Sequence, residues 1–148
     1  MKTVVKTFDE LSITELYEIL RLRSEVFVVE QNCVYQDIDN KDQKAIHVLG
    51  IENDQIMAYT RLFHPGDYFE ESSIGRVVVA SEYRGSGAGY RIMEASMECL
   101  KDRFNYQSIR ISAQTYLKVF YNNLGFKEVG EEYLEDGIPH VNMLVSLD

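Results

Sequence analysis

A mixed α/β domain of the α+β class, with one sheet carrying helices on both faces, is the fold that this sequence predicts. Three observations lead there. Helical and strand-like patterns follow one another in the order helix, strands, helix, strand, helix, strands. An apolar content of 45% over 148 residues is enough for one real core. No internal repeat and no linker interrupts the chain, so residues 1–148 are expected to form a single domain.

The first helix starts at a capping box. Ser12-Ile13-Thr14-Glu15, with Leu11 and Leu16 placed as a hydrophobic staple, predicts a helix from Ile13 to about Phe27. From Val28 to Lys44 the periodicity gives way to an acidic segment with Glu30, Asp37, Asp39 and Asp42. It is too long for a simple turn and reads as a functional or substrate-side loop with room for a helical turn. Ala45 to Glu52 and Gln55 to Phe63 are β-rich runs joined across Asn53-Asp54, a hairpin signature. A loop from His64 to Glu71 leads to a third run, Ser73 to Val79. After a glycine cluster a long helix extends to about Phe104, with Met93, Met97, Leu100 and Phe104 on one face. Ile109 to Ala113 is a short strand. Tyr116 to Asn123 is a short helix stopped by Gly125, and Phe126 to Tyr133 and His140 to Leu147 are closing strands around Asp136-Gly137.

The net charge of −9 and pI near 4.8 repel phosphate backbones, which argues against nucleic acid and anionic membranes as partners. Small or cationic partners suit it better, although acidity serves solubility equally well. No apolar run approaches the roughly 20 residues that cross a bilayer, and Met1 to Asp9 is charged where a signal peptide is apolar. A cytoplasmic protein is expected. Cys33 and Cys99 lack metal-ligand spacing and are expected to be unpaired thiols. Asp37, Asp39 and Asp42 could attract a cationic amine, or ligate a metal by their spacing. The calcium-loop pattern lacks its glycine and terminal glutamate, so no metal is expected.

Arg84-Gly85-Ser86-Gly87-Ala88-Gly89 lies between a strand and a helix, where successive amides at the positive helix end can cradle an anion. Glycine lets phosphate approach the backbone and tolerates positive φ. A Walker loop fails because no Gly-Lys-Ser/Thr closes the cluster. A dinucleotide fingerprint fits poorly, since Tyr90 and Arg91 stand where a small residue belongs. A glycine turn with no ligand is the remaining alternative.

The pattern Arg84-x-x-Gly87-x-Gly89 behind Val77-Val78-Val79 resembles the pyrophosphate loop of the GNAT N-acetyltransferases. About thirty residues on, Phe120-Tyr121-Asn122-Asn123-Leu124-Gly125-Phe126 resembles a second signature of that superfamily. The segments Val26 to Cys33, Tyr35 to Asp39 and Glu135 to His140 look like its ElaA-type members. The resemblance implies a twisted, mostly antiparallel mixed sheet and acetyl-CoA as cosubstrate. It implies coenzyme contacts at Val77, Val78 and Val79, with a strand bulge there, at Arg84, Gly85, Ser86, Gly87, Ala88, Gly89 and Tyr90, and at Gln114, where many members carry asparagine.

The implied reaction is acetyl transfer to a primary amine of a small molecule or peptide, with Tyr121 as general acid for the departing thiolate. A lysine-like amine, with a pKa of about 10.4, must lose a proton before it attacks. Glu30, His47 and His140 are candidate bases, and Glu30 and His140 are favoured because they fall in the ElaA-like segments. Arg84, Arg91 and Lys118 are candidate sources of local positive charge for the coenzyme. Two other readings remain open: a non-catalytic acyl-CoA-binding module, and an acyltransferase fed by an acyl-carrier protein. GNAT relatives are often dimers, so a homodimer through the closing strands is a further expectation.

Overall fold

In the computed structural model, which describes residues 1–147, seven strands form one sheet. They are β1 (Lys2–Thr7), β2 (Ile46–Glu52), β3 (Gln55–Phe63), β4 (Ser72–Val79), β5 (Ser108–Gln114), β6 (Lys127–Glu135) and β7 (Ile138–Ser146), in the order β1-β2-β3-β4-β5-β7-β6. Every neighbouring pair is antiparallel except β4 and β5. The sheet is thus mixed and mostly antiparallel, as expected.

The helices are α1 (Ile13–Arg23), α2 (Ala88–Glu98) and α3 (Lys118–Asn123). Side chains alternate across a sheet, so consecutive core residues serve opposite faces. Leu49 and Tyr59 pack with Ile19, Leu22 and Val26 from α1 and its continuation. Val48 and Ala58, their neighbours in sequence, pack with Ile92 and Met93 of α2 and Tyr121 of α3.

Ser12 Oγ accepts from Glu15 N at 3.0 Å and Glu15 Oε1 accepts from Ser12 N at 2.8 Å, which completes the expected capping box. Both hairpin turns also take the conformation their sequences demand. Asn53 and Asp54 have φ of 53° and 61°, and Asp136 and Gly137 have 52° and 77°.

Three features depart from the sequence reading. β1 was not foreseen: its lysine-flanked Val4-Val5 pair has little alternation, and it is held by its ladder to β2 at the sheet edge. The first helix does reach beyond Phe27, but from Ser24 to Glu30 its turns widen to π geometry. The second does the same from Cys99 to Arg103.

Two irregularities create the site. β4 and β5 pair only at Ser72↔Ile109 and Ser73↔Arg110, and beyond those residues they diverge. In β4 the register against β3 jumps from Gly75↔Arg61 to Val78↔Tyr59, so Arg76 and Val77 oppose the single residue Thr60. This is the expected bulge. Arg76 sits in the left-handed region, with φ of 49°.

Candidate active site

The divergence of β4 from β5 opens a cavity of about 520 Å³. One wall is β4 from Ile74 to Val79, whose edge on that side has no strand partner among the described residues. The other is β5, through Ile111, Ser112 and Gln114. The π-helical segment adds Val26, Phe27 and Glu30 to the lining, and the residues just after it, Gln31 and Cys33, are tied to the opposite side. Gln31 exchanges amide hydrogen bonds with Gln114 at 3.2 and 3.3 Å, and the Cys33 thiol donates to the Asp136 carbonyl at 3.4 Å. Cys33 and Cys99 are unpaired thiols, as expected.

At one end of the cavity the glycine loop turns into α2. Gly85 and Gly87 have φ of 81° and 84°, and Gly87 is the N-cap residue with no side chain capping the first-turn amides. Those amides are free to bind an anion. Ser86 folds its hydroxyl onto Tyr83 O at 2.6 Å, and Arg91 donates back to Ser86 O at 3.2 Å. Gly89 has a different reason to be glycine: a Cβ there would lie 3.3 Å from the Phe120 ring. Phe120 in turn packs against Tyr90, 4.7 Å between ring centres, and Tyr90 Oη accepts from Asn123 at 3.0 Å. The two sequence signatures therefore meet in space, where Phe120 and Asn123 of α3 touch Tyr90 of α2. An unpartnered strand edge leading to open amides fits a pantetheine arm ending in a pyrophosphate.

Tyr121, from α3, lines the cavity and is 6% exposed. Burial pushes its phenol well above the usual value, so it stays protonated. His140, on β7, lines the same cavity and is equally buried. Its Nδ1–H donates to Ile138 O at 2.6 Å, which leaves Nε2 as the basic nitrogen, 3.4 Å from the Glu135 carboxylate.

Two candidate bases do not suit the role. His47 is wholly buried outside the cavity. Its Nε2–H donates to Asp42 O at 2.9 Å and its Nδ1 accepts from Tyr59 Oη at 2.6 Å, while burial lowers its pKa and keeps it neutral. Glu30 lines the cavity but is ion-paired with Arg84, whose hydrogen bonds hold its carboxyl below the ordinary range. Arg84 also donates from Nε to Val79 O at 3.1 Å. Lys118 does not line the cavity.

The acidic segment is also corrected. Asp37, Asp39 and Asp42 bind arginines. Arg23, 0% exposed, donates to Asp37 at 3.0 Å and Asp42 at 2.8 Å. Arg61 grips both oxygens of Asp39 at 2.8 and 2.9 Å, and Arg76 reaches Asp37 at 2.7 Å. Three arginines and three aspartates cancel, so these carboxylates attract no external cation. Through Arg76 the cluster holds the β4 bulge. The sequence reading overlooked it, although Arg61 inside the apolar run Tyr59 to Phe63 signals a charge that needs a buried partner.

A family model described as an acetyltransferase (GNAT) domain matches residues 7–147. The protein ElaA of Escherichia coli K12 is 43% identical over 137 residues, covering 91% of this chain and 90% of that one. The crystal structure of Escherichia coli ElaA superposes with a TM-score of 0.91 at 39% identity, covering 98% of this chain and 99% of that one. An acyl-CoA N-acyltransferase structure from Pseudomonas aeruginosa gives the same TM-score and coverage at 37% identity. The chain is thus an ElaA-like acyltransferase that belongs to the GNAT acetyltransferase family.

Proposed function

We propose that this enzyme transfers an acetyl group from acetyl-CoA to a primary amine of a small molecule or peptide, by direct attack on the thioester. The observation that carries the reading is the pair Tyr121 and His140 lining one cavity beside an unpaired strand edge. The thioester of acetyl-CoA supplies the acyl group and a thiol leaving group. The edge of β4 from Val77 to Val79 offers backbone groups to the pantetheine arm. Arg84 to Tyr90 present amides to the pyrophosphate, and Gln114 flanks the arm from β5.

His140 Nε2 takes one proton from the substrate ammonium, directly or through water, which frees the nitrogen lone pair for attack. The neutral nitrogen then bonds to the carbonyl carbon, the carbon–sulfur bond breaks, and the second proton that the nitrogen sheds passes to water in the open cavity. Tyr121 gives its phenolic proton to the departing sulfur and regains one from solvent through the open cavity. Glu30 belongs in this scheme as the partner of Arg84. A phosphate group reaching Arg84 would compete with it.

A cytoplasmic location and a homodimer paired through the outer strand β6 complete the reading. Among the described residues, no helix is long and apolar enough to cross a membrane. Sedimentation at high protein concentration is expected to show a dimer, and a monomer alone would remove that part.

Thiol release from acetyl-CoA across a panel of primary amines tests the reaction. Amine-dependent release with a matching acetylated product supports it. Coenzyme binding without turnover across the panel would favour a binding module instead, and strong preference for an acylated carrier protein would favour the carrier-fed acyltransferase.

A further inference from the structure

A second, smaller cavity of about 60 Å³ adjoins the first. The two share Ile74, Gly75, Arg76, Ser112 and Glu135, so they meet where the strands diverge. Its outer wall is aromatic. Phe63 and Tyr68 stack 5.1 Å apart, and Tyr68 meets Phe69 edge-on at 4.9 Å. Phe63 already carries the Arg61 guanidinium 4.9 Å from its ring centre. Tyr68, 41% exposed, and Phe69 are left to receive a ligand.

The charges around this cavity single out one residue. Arg61 and Arg76 both line it, but their charge is taken up by Asp37, Asp39 and Asp42. Glu135 lies 3.4 Å from His140 Nε2 and is half-exposed. Its carboxylate is the acidic group that faces both cavities.

We infer that the smaller cavity is the acceptor subsite, and that it takes short aryl or alkyl monoamines. Glu135 binds the ammonium, and Tyr68 and Phe69 hold the apolar body behind it. This rests on the acetyl-transfer reading. A carboxylate beside aromatic faces suits an organic cation. From Glu135 the ammonium lies beside His140, so the subsite delivers the amine to its base. The cavity itself takes the ammonium and the atoms next to it, and the rest of the apolar body lies outward along the exposed Tyr68 ring. A second ammonium gains nothing here, because the nearby aspartates are already bound to arginines, so polyamines are disfavoured.

The test measures steady-state acetylation of 2-phenylethylamine, n-butylamine and spermidine by wild type, Glu135→Gln and Tyr68→Ala, with calorimetric titration of acetyl-CoA into each. The expected result is a kcat/KM for 2-phenylethylamine about tenfold above that for spermidine. Each substitution should raise the KM for 2-phenylethylamine by about tenfold while the acetyl-CoA Kd stays the same. Both side chains are partly exposed, so the variants should fold. An unchanged KM in both variants, a preference for spermidine, or acetyl-CoA binding with no turnover of either monoamine would each overturn the inference while leaving the coenzyme reading intact. Failure of wild type to bind acetyl-CoA would show separately in the calorimetry and would overturn both.

Discussion

Tyr121 holds its proton because it is buried, so it enters the proposed step in the protonated form that a general acid must have. Tyr121→Phe should lower kcat about a hundredfold and leave the acetyl-CoA Kd within about threefold, as read by steady-state kinetics and calorimetry. Loss of both in parallel would mean the ring is needed for packing. Asp39 makes a different residue-scale case. Burial raises its pKa, but hydrogen bonds from Arg61 and the charges of Arg61 and Arg76 outweigh it and hold the carboxyl near a pKa of about 2. Asp39→Asn should therefore cost on the order of 2 kcal/mol in urea unfolding at neutral pH. Tyr121 could be read from its motif. The partners of Asp39 could not, because pairing across a loop leaves no periodic trace, and only Arg61 in its apolar strand hinted at it.

Elements were legible where local chemistry decides them. Ser12 and Glu15 announce the start of α1, and Asn53-Asp54 and Asp136-Gly137 announce their turns, because capping and positive φ are settled within a few residues. Ser12→Ala should cost about 1 kcal/mol in chemical denaturation. The π-helical stretches have no such signal, since they keep nearly helical spacing. β1 depends on β2 rather than on its own pattern. The contact between α2 and α3 was not legible either, and it puts the Phe120 ring 3.3 Å from where a Cβ on Gly89 would lie. Gly89→Val should force Phe120 away and weaken acetyl-CoA binding about tenfold or more, measured by titration, with the helix content by circular dichroism retained.

At the scale of the whole molecule, the arginine–aspartate cluster ties α1, the acidic segment, β3 and β4 together beneath the cavity. The Asp39 contribution has a defined pH window. It is present above the unfolded carboxyl value of 3.8 and is lost as pH falls through about 2. Acid titration of wild type should show this loss, and Asp39→Asn should lack that part of the pH dependence. The fold class followed from the element order, and the open turn ahead of α2 followed from its glycines. The acceptor side did not, because it forms only where β4 leaves β5 and brings Glu135 beside residues from distant segments. The claim on which the rest depends is that the glycine loop and the open edge of β4 bind the coenzyme. Calorimetric titration of acetyl-CoA into wild type and Gly87→Glu tests it most directly. The account predicts saturable binding to wild type and its loss in the variant, where an anionic side chain meets the phosphate site and the left-handed backbone is strained. Equal binding by both proteins, or none by wild type, would contradict it.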